Sequence, residues 1–112
     1  MPFVITNDNV SIYYEVHGRG KPLLFLPGWT CTTRFFRKNV ESLSKDRKVV
    51  LMDFRGHGES EKVLHGHRIA RYAMDVLNLI EALELDEVTL AGWSMGAAIA
   101  WNYQLPDRKS VV

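Results

Sequence analysis

The stretch LAGWSMGAAIA, residues 90–100, decides how this chain is read. An apolar run ends in a serine fenced by Gly92 and Gly96, and small helix-forming residues follow. Glycine is costly near the start of a helix and serine is a weak nucleophile in water, so both choices require a reason. Gly92-Trp93-Ser94-Met95-Gly96 fits the pattern G-x-S-x-G. In this nucleophile elbow a sharp strand-to-helix turn strains the serine backbone and projects its hydroxyl from the rim of a sheet. Residues two before and two after the serine crowd together at such a turn, which demands small residues at both. The N-terminus of the helix that follows favours negative charge, and the Met95 N–H is expected to donate to an oxyanion.

The flanking sequence supplies the context that the turn needs. FVIT and VSIYYEV, rich in β-branched and aromatic residues, flank the turn cluster NDN and read as a hairpin. PLLFLPG, KVVLMD and EVTLAG are continuous apolar runs, which suit strands covered on both faces. Between them, residues 33–44 set Phe36, Val40 and Leu43 at helical spacing, and residues 69–85 set Ala73, Val76, Leu77, Ile80 and Leu83 on one face. MGAAIAWNYQL reads as a helix stopped by Pro106, and DRKSVV as the opening of a further strand. Strands alternating with helices predict an α/β protein with a mainly parallel sheet.

Two further loops bear on Ser94. LPGWT, residues 26–30, lies between a strand and a helix, where a second oxyanion donor belongs, and the Trp29 backbone N–H is the candidate. DFRGHGES, residues 53–60, offers glycines for a tight turn, with Asp53 and Arg55 expected to tie it together. Trp29, Trp93 and Met95 hint at an apolar pocket, although aromatic side chains serve as often in a core. With the strand pattern, these loops and the elbow resemble the N-terminal half of the α/β-hydrolase fold family, its small esterases and cofactor-free haloperoxidases above all. The resemblance covers essentially all of residues 1–112. It implies strand order 1-2-4-3-5-6 and hydrolysis of ester, amide or carbon–carbon bonds through an acyl-serine, on a small-molecule acyl substrate and without a cofactor. Pro27 stands where many members carry His, and Ala97 where many carry Gly.

In this family the catalytic acid and histidine follow the serine in the chain. After Ser94 there is only Asp107, placed where the family has a structural turn, and no histidine. His57 lies on the same rim as the serine but at a variable position of its turn, so a structural role is expected. His65 and His67 could offer two metal ligands without a third, and a solvated loop is the simpler reading. Residues 1–112 are therefore expected to be a partial domain, cut at strand 6, that lacks the lid, acid and base and is inactive alone. The edge of EVTLA would then be bare and open to self-association. Alternatives are a non-catalytic binding or self-associating module, or a cofactor-free perhydrolase or haloperoxidase. A dinucleotide-binding reading fails because Ser94 stands where the second glycine of G-x-G-x-x-G belongs.

The totals agree with an ordinary globular domain: 112 residues, 46% hydrophobic, and 14 basic against 13 acidic side chains. A formal charge of +1 argues against nucleic acid or an anionic membrane as partner. Cys31 is the only cysteine, which excludes an internal disulfide and a cysteine-rich metal site. With no signal-peptide pattern and no bilayer-length apolar run, a cytoplasmic location is expected.

Overall fold

Three apolar runs, covered on both faces, build the centre of the sheet. The computed structural model describes residues 2–104. Strands β1 (Phe3–Ile5) and β2 (Ser11–His17) form the hairpin, β3 (Lys21–Leu26) follows the glycine break, and β4 (Arg47–Met52) and β5 (Thr89–Gly92) complete the set. The helices are α1 (Arg37–Leu43), entered through a 3₁₀ turn at Thr33–Phe36, α2 (Ile69–Ala82) and α3 (Met95–Gln104). The five-stranded sheet runs β1-β2-β4-β3-β5, as expected for the strands described. The hairpin and the β2–β4 pair are antiparallel, whereas β3 pairs in parallel with both β4 and β5. The expected sixth strand falls outside the described residues.

Alternation along β4 divides the core into two layers. Val50 and Met52, with Leu24 and Leu26 of β3, face the layer made by α2 and α3, where Tyr72, Val76, Leu79 and Ile99 are buried. Val49 and Leu51 face the opposite layer with Phe36, against which Phe25, Val40 and Leu43 pack. Phe25 and Phe36 stack at 4.4 Å between ring centroids. Each fully buried aliphatic side chain contributes roughly 1.5–3 kcal/mol relative to exposure, so these two layers fix the sheet firmly.

The helices depart from expectation at their ends. The segment 33–44 begins as a 3₁₀ turn, capped by the Thr32 hydroxyl, which accepts from the Arg34 N–H at 3.3 Å. The segment 69–85 leaves the helix at Ala82. There Glu84 takes φ 52°, its N–H donates to the Glu81 carbonyl at 3.1 Å, and Leu85 donates to Ile80 at 3.0 Å. This is a Schellman closure with glutamate at the position glycine usually holds. Among the described residues, no helix is long and apolar enough to cross a membrane.

Candidate active site

Because β4, β3 and β5 run parallel, their C-terminal ends and the loops that leave them share one rim. The ladder between β3 and β5 continues one step into the turn, with the Trp93 N–H donating to the Leu26 carbonyl at 3.1 Å. The chain then turns sharply. Ser94 has φ 56°, is exposed, and immediately precedes Met95, the first residue of α3. The Ser94 carbonyl already accepts from Ala97 at 3.0 Å, so the left-handed residue sits where strand becomes helix.

Backbone crowding explains the flanking glycines. A Cβ on Gly92 would lie 2.5 Å from the Ala97 nitrogen, and one on Gly96 would overlap the Leu26 carbonyl. The loop after β3 passes nearby with more room: a Cβ on Gly28 would lie 3.0 Å from Trp93 Cδ1 and 3.4 Å from Ser94 Cβ. Trp29 is therefore next to the residue that borders Ser94. Among the described residues, neither the Trp29 nor the Met95 backbone N–H has an acceptor. Thr30 follows at φ 67°, an uncommon conformation for a β-branched residue, and Cys31 closes the turn by donating to the Gly28 carbonyl at 3.0 Å.

The side chains around this rim are largely apolar. Trp29 is 56% exposed and Trp93 53% exposed, with Met95 partly buried against the main core. Phe35 stacks on Trp93 at 5.6 Å, a partner that helical spacing does not reveal because the segment there is 3₁₀. His57 and His67 stand edge-on to the Trp29 ring at 5.1 and 6.3 Å.

Asp53 ties its turn together as expected. Its Oδ1 accepts from the Thr33 N–H at 2.7 Å and its Oδ2 from the Glu59 N–H at 2.9 Å, while the Ser60 hydroxyl donates to its carbonyl at 2.5 Å. A Cβ on Gly58, at φ 50°, would collide with the Asp53 carboxylate.

Arg55 corrects the expectation that it binds its own turn. It is fully buried and reaches away, giving Nε and Nη2 to Asp75 of α2 at 2.9 and 2.8 Å. Its Nη1 and Nη2 also bind Asp8 of the hairpin turn at 2.8 and 2.9 Å. Hydrogen bonding from Arg55 holds the Asp8 carboxyl well below the usual range, against some burial. Burial opposes the Arg55 charge, but the hydrogen bonds to Asp8 and Asp75 outweigh it and raise its pKa further.

A second polar cluster lies on β2. Burial pushes the Glu15 carboxyl up, but hydrogen bonds from Tyr13 and His17 and the charge of Arg37 bring it below its ordinary value. The same Tyr13–Glu15 hydrogen bond, 2.6 Å long, holds the Tyr13 hydroxyl up to about 12.

His65 lies 3.6 Å from Asp8, and both ring nitrogens of His67 have partners, so the two do not converge as a ligand pair. Among the described residues no group of three or more His, Cys, Asp and Glu could hold a metal ion. Asp107 lies outside the described residues.

A mixed sheet whose parallel strands carry on their rim a serine at a strained strand–helix junction defines the class, and family comparison agrees: the α/β hydrolase fold model matches residues 21–110. The chain belongs to that family. It is 34% identical over 104 residues to a non-heme haloperoxidase of Rhodococcus erythropolis, covering 92% of this chain and 38% of that protein. It is 31% identical over 104 residues to a soluble epoxide hydrolase of Corynebacterium sp. (strain C12), covering 93% of this chain and 36% of the relative. The structure of an esterase from Exiguobacterium antarcticum superposes with a TM-score of 0.93 at 32% identity, over 97% of this chain and 41% of the esterase. The chain thus spans about two fifths of the length of these proteins.

Proposed function

We propose that this chain carries the nucleophile and oxyanion hole of a serine hydrolase acting on a small ester or related acyl compound. The observation that carries the reading is Ser94: exposed, at φ 56°, beside two backbone N–H groups that have no acceptor among the described residues. In this mechanism Ser94 Oγ attacks the acyl carbon and loses its proton to a base. The Trp29 and Met95 N–H groups hold the oxyanion, and the leaving group departs with the proton. Water then releases the acid and restores the serine.

The family includes esterases and epoxide hydrolases, and the nucleophile itself favours the former. Serine opening an epoxide would leave an ether, which water does not cleave. Serine attacking a carbonyl leaves an ester, which it does. Ser94 therefore supports acyl chemistry.

No base or acidic partner for Ser94 is assigned among the described residues. His57 donates Nδ1–H to the Arg55 carbonyl at 3.0 Å, whereas a triad histidine gives that proton to a carboxylate, which stabilises the imidazolium. Without those groups, roughly a thousandfold acceleration over water survives from oxyanion stabilisation and binding. A fluorophosphonate should therefore label folded protein at Ser94 slowly but measurably faster than urea-unfolded protein, because the two N–H groups stabilise the developing charge on the phosphonyl oxygen, and Ser94→Ala should abolish it. Equal labelling of folded and unfolded chains would refute the reading.

The haloperoxidase relatives favour one variant at the same serine. Hydrogen peroxide in place of water would attack the acyl-serine, release a peracid and return the serine its proton; the peracid would then oxidise halide. Self-association is supported separately by Trp101, 70% exposed on α3.

A further inference from the structure

The loop after β3 has Ser94 on one side and, on the other, the loop after β4 that carries His57, because β3 lies between β5 and β4. On that second side the Trp29 ring, His57, Val63, Leu64 and His67 line an open cleft of about 450 Å³. This is within the range of small-molecule sites, which are apolar with a few placed polar groups.

Tautomer logic identifies the placed group. His67 Nε2 lies 2.7 Å from the Val63 carbonyl, which only accepts, so Nε2 carries the proton; Nδ1 of the neutral ring then accepts from the Tyr72 hydroxyl at 2.8 Å. His67 has no capacity left and serves as wall. Lys62 is tied to the carbonyls of Gly58 and Ser60. His57 is different. Its Nδ1 lies 3.0 Å from the Arg55 carbonyl and must carry the proton, which leaves Nε2 a bare acceptor. The residue is only 8% exposed, yet among the described residues Nε2 has no partner. No side-chain nitrogen or oxygen that is sealed from solvent lacks a hydrogen bond among them, so Nε2 opens to space, and His57 lines the cleft. Solvent therefore reaches this acceptor, and a ligand donor held in the cleft takes the place of water on it.

We propose that this cleft binds an apolar, planar substituent bearing one O–H or N–H donor, packed on the Trp29 ring and hydrogen-bonded to His57 Nε2. Its use as the substituent site of the hydrolase, with His57 setting specificity, rests on the acyl-serine reading; the binding itself does not.

Benzyl alcohol and benzyl methyl ether differ in the donor alone and serve as probes, titrated into ¹⁵N-labelled protein. The alcohol should shift the Trp29 indole N–H and the His57 Nε2 resonance, and bind about fivefold tighter than the ether. His57→Asn keeps a side-chain N–H near the Nδ1 position for the Arg55 carbonyl and should erase the preference while the Trp29 response remains. The unmutated protein alone decides the matter: equal binding of the two probes, or silence at Trp29 and His57, overturns the proposal. Fluorophosphonate labelling separates the two readings. Failure to label Ser94 with the alcohol preference intact removes the hydrolase and leaves the cleft; labelling without the preference does the reverse.

Discussion

Ser94→Gly should make the protein more stable than Ser94→Ala, an order opposite to that expected in or near a helix. Ser94 holds φ 56°, a conformation that costs an L-residue with a Cβ about 1–2 kcal/mol. Glycine removes that cost but gives back about 0.5–1 kcal/mol through its greater freedom in the unfolded chain. The net gain is about 0.5–1 kcal/mol. Because Ser94 is exposed, truncation forfeits little packing, and alanine controls for loss of the hydroxyl. In urea, with a slope of roughly 2 kcal/mol per molar for a chain of this size, the midpoints should differ by about 0.3–0.5 M. Ala98→Gly, an exposed change inside α3, should instead lose about 1 kcal/mol. If Ser94→Gly unfolds no later than Ser94→Ala, the backbone at residue 94 is unstrained and the elbow reasoning fails.

Other perturbations probe the supports of the rim. Gly96→Ala drives a Cβ into the Leu26 carbonyl and should destabilise by about 2–3 kcal/mol in the same assay, because only backbone can move aside. Arg55→Met leaves the fully buried Asp75 carboxylate with Arg71 as its one remaining cation, at 2.8 Å, and should cost about 3 kcal/mol, the low end for breaking a buried pair; an effect under 1 kcal/mol would mean that the pair is not closed in solution. Acid should also weaken the fold through Asp8 and Glu15, both held below their ordinary values of 3.8 and 4.5. The native state then binds fewer protons than the unfolded chain, so this stability is present above about pH 5 and fades as pH falls through and below 4. Unfolding midpoints measured from pH 6 to pH 2 should show that slope, and Asp8→Asn should flatten it.

Much of the sheet is written in the composition of its strands. Leu24, Val50 and Met52 are buried because runs apolar at every position need cover on both faces, and this cover sets β3 and β4 at the centre. The crowding at Gly92 and Gly96 follows from the spacing of the serine motif in the same way. What escaped is charge placed inside the core. Asp75 sits on the buried face of α2 among Tyr72, Val76 and Leu79, where hydrophobic periodicity reads it as an interruption; Arg71 pairs with it from one turn earlier, but only the fold reveals Arg55 as its second partner. The C-terminus of α2 was hidden for a related reason: Glu84 takes the left-handed position without the glycine that would announce it. Phe35 and the free nitrogen of His57 depend on contacts between distant loops, which no local pattern encodes.

The most direct test follows the backbone amides of Trp29 and Met95 by ¹⁵N–¹H spectroscopy while Ser94 carries a phosphonyl adduct. Both amide protons should move downfield together as the phosphonyl oxygen settles between them. An adduct on Ser94 that leaves either amide unmoved would contradict the shared oxyanion site.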